Sequence, residues 1–312
     1  MYTLQRFVLM TLDPVHIGTG GYRLGRVDLS IVREPGTNLP KVPGTSLSGA
    51  IRQYAAIRYE KINCAGQKGC GKSECPICYT FGSAKESGGG YAGTVSIFDA
   101  RLLFFPVHTL AGPAWVTSPS ALADFGIKGQ SVSDDRAKWP DSLTSNSRIN
   151  LGWLMLERDN GNWQPPQEIP QEIKDRLVLV PDKLFPQIVN SNLEVRTSVS
   201  IDPQTGAALE GALFTYEALP RTTWLWFDVV EDDYRKDKQV PWPVTKKFLK
   251  TNAADEGQEN AGEDLGETWK RPLNVVRAGI KLAEYLGVGG MGTRGFGRIR
   301  LISDWEVNNA QP

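Results

Sequence analysis

No stretch of this 312-residue chain approaches the roughly 20 consecutive apolar residues needed to cross a bilayer, and its opening, MYTLQRFVLMTLD, lacks the pattern of a cleavable signal. A membrane-embedded or secreted protein is set aside on these grounds, and a cytoplasmic one is expected. Net charge is also missing: 35 basic and 35 acidic residues cancel, which argues against free binding to nucleic acid through bulk charge alone. Histidine is scarce, with only His16 and His108, so imidazole chemistry has two candidates at most. Cysteine occurs four times, all within fifteen residues; in a cytoplasmic chain these are not expected to form disulfides.

What is present is the ordinary apolar and charged balance of a globular protein, long enough for one large domain or two small ones. Charge is unevenly distributed. Residues 1–63 hold eight Lys/Arg against four Asp/Glu, residues 269–300 hold seven against one, and TNAADEGQENAGEDLGE (251–267) holds six acids and no base. Two basic ends flank an acidic insert, read as a mobile segment over 231–268. A solvated loop with chance clustering elsewhere is the plainer account of the same pattern.

YTLQRFVLMTLD (2–13) reads as a buried strand, and VDLSIVRE (27–34) alternates like a second. SLSGAIRQYAAIRYEKI places Leu47, Ala50, Ile51, Tyr54 and Ile57 at helical spacing behind a cap at Thr45 or Ser46. TVSIFDARLLFFPV and TTWLWFDVV (222–230) read as strands, the latter central. VRTSVSIDPQTGAALEGALFTYEALP (195–220) reads as two short segments about the turn DPQTG. PLNVVRAGIKLAEYLG is the last helix, with Pro272 in its first turn and Gly287 just past its end, and FGRIRLIS is the last strand. The polar, proline-dotted stretch 115–190 gives no clear period. This succession predicts an α+β sandwich of ferredoxin-like type carrying long insertions.

GVGGMGTRGFGRIRL (287–301) satisfies G-x-G-x-x-G twice. A dinucleotide site needs strand, glycines and helix in that order, so that a pyrophosphate meets a helix N-terminus; here the glycines follow a helix and precede a strand, and the reading fails. GGYRLGRVD (20–28) mimics a phosphate-binding P-loop but has Arg26 where Lys is required and Val27 where Ser or Thr belongs. What remains is bare backbone with free peptide N–H groups beside Arg294, Arg298 and Arg300, features that a polyanion lying along the loop would meet together. A tight helix-to-strand connection with positive φ would use the same glycines.

The cysteines, Cys64, Cys70, Cys75 and Cys78, are spaced C-x5-C-x4-C-x2-C. The C-P-I-C pair has the form of a zinc-knuckle turn, and four thiolates complete a tetrahedral site, so a structural zinc is expected over 64–78. Four protein ligands leave no open position, so the metal would hold a finger together rather than catalyse. The alternative is an unmetallated redox pair, but this C-x-x-C is not read as opening a helix after a strand.

HIGTG after the first strand, PGTSLSGAIR (43–52), CPICYTFGS (75–83), SIFDARLLFFPV (96–107), TGAALEGALF (205–214) and GGMGTRGFGRIRL (289–301) occur in this order. Together they resemble the RAMP proteins of type III CRISPR effector complexes, in particular the backbone (fourth) subunit of the Cmr complex; the backbone subunit of the Csm complex is a related form. GTGGYRLGRVD and LLFFPV are the more Cmr-like stretches. The likeness spans nearly the whole chain apart from 115–190 and the acidic insert.

The resemblance implies a single RAMP domain over 1–312: a modified ferredoxin-like, RNA-recognition-type palm bearing a β-hairpin thumb, here 195–220, and a zinc-binding finger. It implies several copies polymerising along a guide RNA (crRNA) beside other subunits of the complex, with thumbs that kink the guide–target duplex. It also implies one metal-dependent cut in the target RNA per subunit, assigned in the family to an Asp in the loop after the first strand, which falls on Asp28. RNA contacts would come from His16, Arg23, Arg26, Lys41, Ser46, Ser48, Arg52, Gly289, Gly290, Gly292, Arg294 and Arg298.

RNA carries its own nucleophile, the 2′-OH, so the protein mainly has to align it and neutralise charge. Asp28 could hold hydrated Mg²⁺ or another divalent cation, or act as a weak base; a positioned proton transfer is worth about 10²–10⁴-fold, which suits a slow cut. From the residues alone, a salt bridge from Asp28 to Arg23 or Arg26 is the default. Likewise Arg52 could pair with Glu60, Asp99 could hold a turn or pair with Arg101, and His16 could be a hydrogen-bonded loop residue. A guide-processing endonuclease would need His16 and His108 as acid and base, with His108 at an outer edge beyond FFPV. An architectural RNA-binding subunit without cleavage is the remaining reading, because only one catalytic candidate is found.

Overall fold

The computed structural model describes residues 2–20, 27–66, 69–72, 75–84, 90–160, 163–209, 212–235 and 271–302. Its strands are β1 (Thr3–Thr11), β2 (Val95–Ile97), β3 (Arg101–Thr109), β4 (Gly112–Thr117), β5 (Arg136–Ala137), β6 (Arg148–Leu151), β7 (Leu154–Arg158), β8 (Leu177–Leu179), β9 (Glu194–Ser198), β10 (Phe214–Ala218), β11 (Trp224–Glu231) and β12 (Ile299–Ile302). The helices are α1 (Gly44–Arg58), α2 (Pro76–Phe81), α3 (Pro119–Phe125), α4 (Gln171–Lys174), α5 (Phe185–Ser191) and α6 (Pro272–Leu286).

The main sheet runs β12-β1-β11-β3-β4-β8, with β2 added against β11, and all its pairs are antiparallel except β4 with β8. β1 pairs with β11 from Thr3 opposite Glu231 to Met10 opposite Trp224. Both strands are apolar at successive positions because both faces are covered, and a strand sends alternate side chains to opposite faces. Phe7, Leu9, Leu225, Phe227 and Val229 enter the larger core with α1 and α6, while Val8, Trp224 and Trp226 enter a second core with Leu122 and Phe125 of α3. There are two smaller sheets: β10-β9, and β5-β7-β6, which buries Ala137, Ile149, Leu151 and Leu156 in the larger core.

Helix α1 buries Leu47, Ile51 and Tyr54 against α6, as the spacing predicts, whereas Ile57 is exposed. Removing a side chain as enclosed as Ile51 by substitution with Ala costs about 2–5 kcal/mol. The cap differs from expectation. The helix starts at Gly44, inside which Thr45 and Ser46 are already helical, and its first N–H donates to Oδ1 of Asp99 at 2.7 Å. A carboxylate from the neighbouring segment thus supplies what no local side chain does. Helix α6 ends as expected, with Gly287 at φ 75°.

VDLSIVRE forms no continuous strand; Leu29, Ile31 and Arg33 make single bridges to Tyr216, Gly18 and Pro40. The unread middle folds as β4 to α5. There α3 follows a pattern visible in SPSALADFG: Ser118 accepts at the N-cap, Pro119 opens the helix and Gly126 closes it in the left-handed region. Of the acidic insert, β11 takes Glu231 and residues 236–268 lie outside the described residues, as do Arg23 and Arg26.

Candidate nucleic-acid interface and metal site

Four remote segments meet at one corner. Leaving β1, residues 15–18 bridge the end of β10 at Val15–Leu219, the glycine loop at His16–Gly290, and the segment after it at Gly18–Ile31. The carbonyl of His16 accepts the Gly290 N–H at 2.9 Å. His16 is buried, and its Nδ1 lies 2.7 Å from the Glu217 carbonyl oxygen, which can only accept, so Nδ1 carries the proton. Its ring stands edge-on to Tyr216 at 6.2 Å.

Asp28 sits beside the same strand. Its Oδ2 accepts from the Thr215 N–H at 2.7 Å and from the Thr215 hydroxyl at 2.9 Å. These two bonds, the peptide one foremost, hold the Asp28 carboxyl below the usual carboxylate range. The side chain is exposed, and no other residue among those described donates to Oδ1.

Beneath this pair, the buried Glu217 carboxylate accepts both Nη groups of Arg33, at 2.7 and 2.9 Å, and the Ile31 N–H at 3.0 Å. A bidentate pair of this kind fixes orientation as well as contributing energy. It ties β10, at the root of the β9–β10 hairpin, to the segment that bears Asp28. Tyr216 and Phe296 are buried together with Phe214 and Met291 packed on them. Arg196 lies over the Phe296 ring at 4.7 Å and Arg294 over Phe214 at 5.2 Å. Arg196 is also paired with Glu194 at 2.6 Å, whereas Arg294 is exposed and can receive a phosphate.

The nominated residues divide accordingly. His16, Asp28, Gly289, Gly290 and Arg294 share the corner, and Gly292 is in the same loop, exposed, with open space where a Cβ would stand. Arg298 is ion-paired with Asp13 and Arg300 with Glu284. Lys41 sits between Asp99 (2.6 Å) and Glu34 (3.3 Å), which neutralise it, and the Asp99 contact raises its pKa. Ser46 and Ser48 are half-buried in the first two turns of α1. Arg52 turns toward the cysteines, donating to the Cys64 carbonyl at 2.9 Å and making no pair with Glu60. His108 lies on β3 opposite Pro113, and no contact joins it to His16.

Sequence reasoning missed Arg33, Arg196, Phe214, Thr215, Tyr216, Glu217 and Phe296. One signal was available: Glu217 in FTYEA is a single charge inside an apolar, strand-forming run, where a charge calls for a partner.

The four cysteine sulfurs lie within 4.8 Å of one another, with Cys70–Cys78 and Cys75–Cys64 each at 3.7 Å and no disulfide. They can hold a metal ion. Cys75 hydrogen-bonds Cys78, which drives the Cys75 pKa up and draws Cys78 down to about 4, while burial lifts Cys64 to about 11. C-P-I-C opens the short helix α2 with Cys75 as its N-cap, but among the described residues no strand leads into it.

Among the described residues, no helix is long and apolar enough to cross a membrane. The RAMP superfamily model matches residues 8–300. The chain is 29% identical over 285 residues to the CRISPR system Cmr endoribonuclease Cmr4 of Pyrococcus furiosus, covering 82% of this chain and 91% of that protein. It is 37% identical over 75 residues to the CRISPR system Cms endoribonuclease Csm3 of Methanothermobacter thermautotrophicus, covering 23% of this chain and 30% of that one. In fold it is similar to a chain of the type III-B Cmr-beta complex bound to cognate target RNA, with TM-score 0.65, 15% identity and coverage of 97% and 98%. It is also similar to oligomeric Cmr4 from Pyrococcus furiosus, with TM-score 0.59, 22% identity and coverage of 96% and 97%.

Proposed function

The chain belongs to the RAMP superfamily, and we propose that it is a backbone subunit of a cytoplasmic type III CRISPR effector complex, with several copies lined along a guide RNA and each cutting bound target RNA once through Asp28. The observation that carries this reading is the convergence of Asp28, the β9–β10 hairpin root and the glycine loop on one corner. Under it, the four-stranded β12-β1-β11-β3 unit with α1 and α6 is the ferredoxin-like palm, the 195–220 hairpin is the thumb and residues 64–78 are the finger. Free loop backbone near Gly292 and the guanidinium of Arg294 meet the guide phosphates, and the exposed hairpin reaches the duplex.

The RNA 2′-OH is the nucleophile, and the protein's part is alignment and charge. With one oxygen held by Thr215, Asp28 presents the other as an ionised acceptor at a fixed place. A single exposed carboxylate oxygen suits Mg²⁺, which keeps most of its waters and would supply charge neutralisation at the scissile phosphate. His16 keeps its proton on Nδ1 and stiffens the corner. For the finger, zinc fits the donor set: four thiolates at a Zn–S distance of about 2.3 Å form a tetrahedron with edges of about 3.8 Å, against two observed separations of 3.7 Å and all four sulfurs within 4.8 Å.

The test is Asp28→Ala in the assembled complex. Cleavage is expected to fall about 10²–10⁴-fold with target binding unchanged. An architectural subunit is the second reading, favoured by the commitment of Asp28 Oδ2 to Thr215; evenly spaced cuts that persist in the variant would overturn Asp28 as the cutting residue and leave the RNA-binding role standing.

A further inference from the structure

Arg52 lies in PGTSLSGAIR, among the residues nominated to meet phosphate, yet α1 aims it at the finger. Its Nε donates to the Cys64 carbonyl at 2.9 Å, its Nη1 reaches the Phe81 carbonyl at 3.5 Å, and its Nη2 is buried with no acceptor among the described residues. Gly69, at φ 47°, lies beside both groups. A Cβ there would stand 2.7 Å from Cys78 Sγ, too close for any side chain, and 3.4 Å from Arg52 Nη2, so the bare backbone sits between the thiol and the guanidinium. The two carbonyls that Arg52 holds flank the ligand set: Cys64 is itself a member, and Phe81 closes the helix that Cys75 and Cys78 begin.

Four thiolates around a divalent cation carry two excess negative charges, and three of these cysteines are buried. Uncompensated charge in a low-dielectric site is costly, and a guanidinium with a spare N–H offsets it. Lys61 and Lys72 border the cluster as well, but from the open cleft beside Ile57 and Ile62. We propose that Arg52 is a positioning residue of the cysteine metal site: it clamps the backbone of Cys64 and Phe81 and offers Nη2 on the Cys78 side of the thiolates. The planar fork matters because one group serves two carbonyls and a charge at once, which a lysine ammonium on a flexible stem cannot do. Helix α1 is thereby fastened to the finger through its middle rather than left free to turn Arg52 to RNA.

This inference rests on the reading of the four cysteines as a metal site, and the experiment separates the two. Cobalt(II) is titrated into the full-length, metal-stripped protein, and thiolate-to-cobalt absorption is followed. Absence of that band in the unchanged protein overturns the metal reading and this inference with it. Where the band forms, Arg52→Met is expected to bind cobalt about 10–100-fold more weakly in chelator competition, the usual reach of groups behind the ligands, with a shifted band, and Arg52→Lys to recover part of the loss. Should Arg52→Met fail to fold, Arg52→Gln takes its place with the same expectation. Unaltered cobalt affinity and spectrum in the charge-free variant overturn the inference, as does RNA binding that weakens and loses salt dependence while the metal stays bound.

Discussion

The cysteine knuckle and the glycine corner contain similar numbers of chemically pointed residues, and they are built in opposite ways. The knuckle's four cysteines span fifteen residues, and its geometry follows from local turns around Cys75 and Gly69. The corner draws on residues 15–18, 27–33, 214–218 and 289–296, brought together by single bridges and one buried ion pair. In the knuckle a metal can substitute for a core; in the corner, backbone pairing and the Arg33–Glu217 contact carry the arrangement, so its precision depends on the whole sheet. Chemistry that only needs holding is encoded locally, and chemistry that must be aimed is assembled from afar.

The sharpest way to break this contrast is to remove the metal. Cys78→Ser, or chelation, is expected to abolish stoichiometric metal. With free zinc about 1,000-fold above the dissociation constant, that is a loss of about 4 kcal/mol, measured as a fall in denaturant midpoint. Loosening should centre on the cluster of Ala55, Tyr59, Ile77 and Val275 that packs with the cysteines. An unmoved midpoint would mean that the knuckle holds itself together, like the corner.

A smaller effect distinguishes two glycines of one loop. Gly289, at φ 85°, has the His16 carbonyl oxygen at 2.5 Å from where a Cβ would stand, whereas Gly292 has nothing within 4 Å. Gly289→Ala should cost about 1–3 kcal/mol in unfolding free energy. Gly292→Ala should stay within about 0.5 kcal/mol while weakening RNA binding in the assembled complex. Equal RNA affinity in Gly292→Ala and the unchanged protein would sink the idea that this backbone approaches phosphate.

The smallest effect concerns Asp28. Its folded pKa is depressed by Thr215, so the bond's stabilisation is present above the unfolded value, about 3.9, and is lost as pH falls through the folded one. Asp28 is therefore ionised throughout the range from about pH 5 to 8 and should impose no step on the cleavage rate there. Thr215→Val keeps the peptide donor, removes the hydroxyl, and should slow cleavage a few-fold. Cleavage that is lost in His16→Ala but retained in Asp28→Ala would transfer the chemistry from Asp28 to His16.

Much of the fold is readable from periodicity: β1, β11, α1 and α6 stand where alternation, spacing, Pro272 and Gly287 put them. The middle was less open to reading because its elements are short, four to seven residues for α3, α4 and α5, too few turns to establish a period. At the site, cysteine spacing singled out the four thiols that the structure gathers within 4.8 Å of one another. Arginine and lysine counting did less well, since a cation's sequence neighbours do not reveal its spatial ones: Lys41 met Asp99, Arg298 met Asp13 and Arg52 met the finger.

By itself the order of residues determined the strands and helices that bury two faces of a sheet, the set of thiols, and the family to which the chain belongs, because these depend on patterns within about twenty residues or on motif order. Only tertiary structure decided which acids the described cations meet, that Thr215 grips Asp28, and that Glu217 and Arg33 lock the hairpin root. The reason is electrostatic and geometric at once. A charge or hydrogen-bonding group is satisfied by whatever lies within about 3 Å, and across 184 residues of chain that neighbour is chosen by the fold.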